Sequence, residues 1–379
     1  MNIIIFIIIL LVLVLVHEFG HFFTAKKFGI RVDEFGFGFP PKLFSIKKGE
    51  TEYSINALPF GGFVKIFGEN FDEADLLEVG FLDKEKTPER IEIARRSLIN
   101  KPKYQQALVM FAGIFANFLL AWLLFSIGFM SGLPTSVGGE PKGYPVTDVN
   151  LVVVSVLTNS PAEIAGLKSG DKIISIASEN NSISEINPET LKSFVMSHPD
   201  KEIEFGYIRG KDQTINTVNI IPVKKSPTEN PSIGIAMDEI GTVKLPVFRA
   251  FWEGLVLDWS VTKGTVVGLY TLIKEGLMGK GSFDSVSGPI GMVGIVGGAY
   301  QFGFVYLLSF AGLISVNLAI INLIPFPALD GGRLLFLLIE KIKGSRINPK
   351  FANTANMIGF AILIILMLLV TYHDVIKLF

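Results

Sequence analysis

From Ile3 to Val16 the chain is built only of Ile, Phe, Leu and Val, and it runs straight into His17-Glu18-Phe19-Gly20-His21. A bilayer span needs about 20 predominantly apolar residues. In lipid the backbone must also satisfy its own hydrogen bonds, which a helix does. The run is therefore expected to be a transmembrane helix from about Asn2 to Thr24, with ionisable side chains at membrane depth. A cleaved signal peptide fits poorly, because no Lys or Arg precedes the apolar core and no small-x-small site follows it.

Three more stretches read as spans: 107–130, 304–340 with its helix interrupted after Ile324 by Pro325 and Pro327, and 355–372. A content of 49% hydrophobic residues agrees with several spans. Formal net charge is -1, so no basic surface points to nucleic acid. There is no cysteine, so any metal must be held by His, Asp or Glu. Lys26, Lys27 and Arg31 follow the first span, Arg95, Arg96, Lys101 and Lys103 precede the second, and Arg333, Lys341, Lys343 and Arg346 follow the break in the third. These clusters are expected to be cytoplasmic, with both termini and 131–303 outside.

The loop 26–106 has two parts. Leu43–Lys48 and Glu52–Asn56 flank a Lys48-Gly49-Glu50 turn, and Gly61–Ile66 follows, which reads as β-structure. Residues 69–106 read as a solvated helix or linker. Residues 146–235 read as a small soluble domain, with strands at Leu151–Leu157 and Lys172–Ala177. A helix is capped by Asn187 with Pro188 at its first position, and strands lie on either side of Arg209-Gly210-Lys211. The segment 246–303 carries Arg249, Glu253, Asp258, Lys263 and Lys274, a spacing that suits a helix lying on the membrane surface better than one crossing it.

Two histidines four residues apart on a helix share a face, and two neutral imidazoles can bind one Zn²⁺. Glu18 stands beside them, placed to take a proton from a water that zinc has acidified. Ionisable groups in a span cost about 2.5–3.5 kcal/mol each on insertion scales, so they mark function. The competing reading, a span that ends at Val16 in the headgroup region, explains polarity but not two His around a Glu at helical spacing. A hydrolytic zinc site takes a third protein ligand. Asp330, behind the proline break, is the best candidate in apolar surroundings; its alternative is a helix N-cap before Arg333-Leu334-Leu335.

His17–His21 in a first span, Gly36-Phe37-Gly38-Phe39-Pro40, Gly61–Lys65, Ala112-Gly113-x-x-x-Asn117 and Asn322…Leu329-Asp330-Gly331 follow one another as in the site-2 proteases. The chain resembles the bacterial regulator-of-sigma-E protease type over nearly its whole length. The resemblance implies that His17, His21 and Asp330 bind zinc and that Glu18 is the general base. It implies that Asn322 holds the scissile carbonyl or its oxyanion, a task suited to a side-chain amide. It also implies that Gly61, Gly62, Phe63 and Val64 belong to a membrane-associated strand that binds substrate. The stretch Ser160–Asp171 looks like part of a PDZ domain, which in this family lies outside the membrane and whose groove takes extended chain ends. Two departures stand out: Ile114 replaces the usual Pro, and there is room for one PDZ domain where the best-known members carry two.

The expected fold is thus a polytopic α-helical membrane protein of about four spans, with a membrane-associated β-hairpin and one extracytoplasmic PDZ domain. The expected activity is zinc-dependent cleavage of single-span membrane proteins, such as anti-sigma factors or signal-peptide remnants, in the bacterial cytoplasmic membrane. Two rival classes are a membrane-anchored PDZ binding protein with an inactive metal site and a metal transporter. The intact His17, Glu18, His21 and Asp330 argue against the first. Spans two and four carry little polarity beyond Asn117, which argues against the second.

Overall fold

The computed structural model describes residues 2–69, 88–178, 181–183, 185–210, 214–224, 230–279 and 288–376. The acidic part of the 69–106 segment, Lys211 of the expected turn and residues 280–287 lie outside them. The chain forms two compact units, residues 1–124, 255–294 and 311–379 in one and residues 125–254 and 295–310 in the other.

Four helices are long and apolar enough to cross a membrane: α1 (Asn2–Lys27), α3 (Lys103–Ser131), α8 (Phe304–Leu323) and α10 (Pro349–Ile376). They coincide with the four expected stretches, and α10 is longer at both ends than its apolar core predicts. Only 11% of the most apolar window of α10 is buried, so Met357, Phe360 and Leu368 face outward. Apolar exposure on that scale marks a surface meant for lipid or for another apolar partner. The helix α6 (Val247–Leu277) is continuous for 31 residues but is not among the four, and it pairs Arg249 with Glu253 one turn apart at 2.6 Å.

In the first unit, β1 (Val32–Lys48) and β2 (Thr51–Ile66) turn at Gly49-Glu50, and α2 (Pro88–Arg95) follows the undescribed stretch. The hairpin pairs on more than one side. Residues 34–37 match Glu52–Ile55 and also match Lys65–Gly62. Gly62–Lys65 thus pairs with β1 along one side and, among the described residues, with no strand along the other. Several contacts fix this small sheet beside α1. Phe22 packs edge-on against Phe35 and Tyr53 at 5.3 and 6.1 Å between ring centroids. Ala25, Ile30, Val32 and Ile66 share a buried cluster with Val109 and Met110. Glu50 binds Lys26 and Arg96, each at 2.5 Å. Such half-exposed pairs add little energy but set the hairpin's position.

The second unit holds an antiparallel sheet in the order β3-β9-β4-β5-β7-β8 with β6 on β5. Its strands are β3 (Leu133–Ser136), β4 (Thr147–Val156), β5 (Lys172–Ser178), β6 (Asn181–Ser182), β7 (Ile203–Ile208), β8 (Ile215–Ile220) and β9 (Ile235–Val243). The sheet extends past residue 235, because β9 continues to Val243 and β3 adds to its far side. The helix α4 (Pro161–Ile164) starts at Ser160, whose hydroxyl accepts from the Glu163 amide. The helix α5 (Pro188–Ser197) starts with a reciprocal box, in which Asn187 accepts from the Thr190 amide at 2.8 Å and donates its own amide to Thr190 Oγ1 at 3.0 Å. Alternation in β7 buries Ile203 and Phe205 and leaves Glu204 outward. Those two residues and Leu191 of α5 join one core.

One buried charge holds that core's rim. Asp171 is 0% exposed, receives Arg209 through two nitrogens at 2.6 and 2.7 Å, and accepts the Lys168 amide at 2.8 Å. Removing one partner of such a pair leaves an uncompensated charge. Asp171→Ala is expected to destabilise this unit by about 3 kcal/mol. Hydrogen exchange on the whole protein should show the loss first in β5 and β7, with α1 and α3 unaffected.

Candidate metal centre

His17 and His21 face the same side of α1 and are buried at 7% and 5% exposure. After α8 the prolines prevent a continuous helix, and Phe326 donates its amide back to Ile324 at 2.7 Å in a tight turn. Ala328 takes a left-handed φ of 74°, held by Asn356 of α10, which accepts the Ala328 amide at 3.2 Å. That conformation is strained for a residue with a Cβ, and strain of this kind collects at functional sites. The chain then enters α9 (Asp330–Lys343). Leu329 takes the cap position and Asp330 is the first helical residue, so the N-cap alternative for Asp330 does not hold. A Cβ at Gly332 would stand 2.2 Å from the Phe326 carbonyl oxygen. Only glycine lets α9 start this close to the proline loop, which directs Asp330 toward α1.

Three side chains converge there. Asp330 Oδ2 stands 3.1 Å from His17 Nε2 and 3.2 Å from His21 Nε2, and the two Nε2 atoms are 3.2 Å apart. This near-equilateral triangle brings together atoms that all carry lone pairs when the imidazoles are neutral. Ligand atoms on a tetrahedral zinc with bonds of about 2.0–2.1 Å stand roughly 3.3–3.4 Å from one another. The triangle therefore fits three corners of such a site and leaves the fourth free. His21 Nδ1 lies 2.8 Å from the Val109 carbonyl oxygen, which fixes the Nδ1–H tautomer and frees Nε2 for a metal. Among the described residues this is the one cluster of three His or acidic side chains with such spacing.

The triangle opens into a cavity of about 470 Å³ whose lining includes Glu18, Phe63, Val64, Asn322 and Asp330. Val64 donates its amide to the Glu18 carboxylate. Gly62 lies against α1, where a Cβ would meet Val14 at 3.3 Å and Glu18 Cγ at 3.5 Å. Gly61 sits at a bend with φ of 93° and does not line the cavity. The structure thus gathers His17, Glu18, His21, Phe63, Val64, Asn322 and Asp330 around one space. Lys65, Glu69 and Arg333 also line it, and Arg333 forms an ion pair with Glu69. Lys65 belongs to the strand motif and Arg333 to a basic cluster of the sequence, but neither they nor Glu69 carry a site role there. Arg333 had a signal, since it lies one helical turn from Asp330; Glu69 had none.

Such a site defines a membrane-embedded metallohydrolase. A family model described as Peptidase family M50 matches residues 5–366. The zinc metalloprotease RasP of Geobacillus kaustophilus is 33% identical, with 100% of this chain and 98% of that protein covered. The regulator of sigma-W protease RasP of Bacillus subtilis is also 33% identical, covering 100% and 99%. The PDZ domain of an SdrC-like protein from Listeria monocytogenes is 22% identical over 24% of this chain and 92% of that one, with a TM-score of 0.20, too low to carry an argument about the sheet. The chain belongs to peptidase family M50. It is a zinc metalloendopeptidase of the site-2 protease type, a multi-pass membrane protein whose cofactor is zinc. The family supports this reading over that of an anchored binding protein with an inactive site.

The close approach of α3 to the histidines depends on Gly113. A Cβ there would stand 2.2 Å from His21 Nε2, the atom that faces Asp330. Gly113→Ala is expected to weaken zinc binding about tenfold or more by displacing that ring. Gly264→Ala, which meets nothing within 4 Å, should leave zinc content unchanged. Metal analysis of both purified proteins checks the pair.

Proposed function

We propose that His17, His21 and Asp330 hold zinc, that Glu18 is the general base, and that the enzyme cuts single-span membrane proteins within the bilayer. The observation that carries this reading is the triangle of ligand atoms beside Glu18, opening into a cavity bordered by an unpaired strand edge. Zinc supplies a Lewis acid that makes water nucleophilic near neutral pH. Glu18 takes the proton of the attacking water and passes it to the departing amine. Asn322, on the last turn of α8, donates its amide to the carbonyl oxygen as charge develops there.

A peptide bond inside a helix is shielded by its own hydrogen bonds, so a substrate span must unwind. The free side of Gly62–Lys65 offers backbone donors and acceptors to an extended segment, which adds as a further strand. Phe63 and Val64 then face the segment from the cavity wall. Gly61 supplies the bend that lets this edge leave the rest of β2.

The name of the Bacillus subtilis relative ties that protein to control of a sigma factor. Anti-sigma factors with one span, and signal-peptide remnants, are the substrate classes we infer for this chain. The Lys and Arg clusters support a location in the cytoplasmic membrane with the β-sheet unit outside. That unit reads as a PDZ domain that takes extended chain ends, though not along the Leu151–Leu157 strand, because β4 is already flanked by β5 and β9.

Two measurements check this reading. Glu18→Gln should keep zinc and lose cleavage of a model membrane substrate by about 100-fold or more, because both imidazoles remain while the proton acceptor is gone. Wild-type rates in that variant would remove Glu18 from the chemistry. A reporter fused after residue 230 should be extracytoplasmic and one at residue 85 cytoplasmic. The opposite labelling would invert the whole topology.

A further inference from the structure

His17 can ligate a metal through Nε2 only if its other nitrogen carries the ring proton, and that proton needs an acceptor in a buried place. His21 has one in the Val109 carbonyl oxygen at 2.8 Å. Beside His17 Nδ1 the structure puts the side-chain amide of Asn117, with Nδ2 at 3.3 Å. Asn117 is 0% exposed, and its Oδ1 has no hydrogen-bond partner. A planar amide has the same shape with its oxygen and nitrogen exchanged. In the exchanged orientation the oxygen faces His17 Nδ1–H and gains a donor, while the amide nitrogen takes the place where the oxygen had no partner. The backbone of Asn117 is itself pinned, because Ser315 of α8, also 0% exposed, donates its hydroxyl to the Asn117 carbonyl oxygen at 2.8 Å.

We propose that Asn117 is the positioning residue for His17: its amide oxygen accepts from Nδ1–H and so holds the ring with the Nε2 lone pair aimed at the metal. The proposal rests on the reading of His17 as a zinc ligand. Asn117 touches neither substrate nor metal and acts only through the ring. The line Ser315–Asn117–His17 runs from α8 through α3 to α1, so the ligand on one span is oriented by two others. An outer-shell partner of this kind is worth about 10–100-fold in metal affinity.

The test is zinc affinity of the purified full chain by chelator competition, with Asn117→Leu, Asn117→Ala, Asn117→Asp and His17→Ala compared. Asn117→Leu and Asn117→Ala should bind zinc about 10–100-fold more weakly. Asn117→Asp, which keeps an acceptor on the same atom, should restore wild-type affinity. Cleavage by the weakened variants should recover with added zinc, at unchanged KM. Full affinity in Asn117→Leu or Asn117→Ala, with zinc lost from His17→Ala, would overturn the role of Asn117 and leave the zinc site standing. Zinc retained in His17→Ala would overturn both. Should the apolar variants fail to fold, wild-type protein labelled with ¹⁵N-His and ¹³C-Asn decides. A dipolar contact between His Nδ1 and an Asn side-chain carbonyl carbon is expected, and its absence overturns the proposal.

Discussion

Three lone-pair-bearing atoms held within 3.2 Å of one another repel unless a proton or a metal cation stands between them. Much of the first unit is arranged to hold them there all the same. Two come from one turn of α1 and the third from the start of α9, which the proline break and Gly332 bring back against α8. The α3 helix approaches α1 so closely that only a glycine fits at 113. Its Val109 carbonyl and Asn117 amide lie against the far nitrogens of the two rings. Helices long and apolar enough to cross a membrane therefore also form the layer around the triangle. A metal bound there acts as a cross-link between spans, and its binding energy is part of what holds them together.

Hydrolysis in a membrane requires water at the site and an exposed peptide bond. The cavity of about 470 Å³ beside the triangle, with Lys65, Glu69 and Arg333 in its lining, gives water a polar compartment among apolar helices. The edge of β2 at Gly62–Lys65 presents backbone donors and acceptors that, among the described residues, no further strand takes up. Glu18 borders both features, held from the strand side by the Val64 amide and standing on α1 beside His17 and His21. One side chain thus borders both the water and the place where an extended chain would lie.

Much of this was legible before any coordinates. The run Ile3–Val16 can only be a span or a leader, and two His at helical spacing at its end can share a metal. Asn187-Pro188 announces a helix start through capping chemistry alone. These signals are local, and local periodicity survives folding. What escaped reading is nonlocal. The Asn117 amide lies 100 positions from His17, and no pattern within α3 says which ring it meets. Gly113 reads as a small residue in a span until the distance to His21 is known. Residues 34–37 pair on both sides because β2 bends at Gly61, and strand propensity does not report such a bend. Leu133–Ser136 is too short to announce a strand, yet it extends the sheet through β9.

The central claim is that two imidazoles and one carboxylate from these positions surround a single zinc. X-ray absorption at the zinc edge of the purified full chain tests it directly. One zinc per chain is expected, with two imidazole nitrogens at about 2.0–2.1 Å and the remaining neighbours oxygen, and one imidazole fewer in His21→Ala. A shell of oxygens alone, or an unchanged spectrum in that variant, would contradict it.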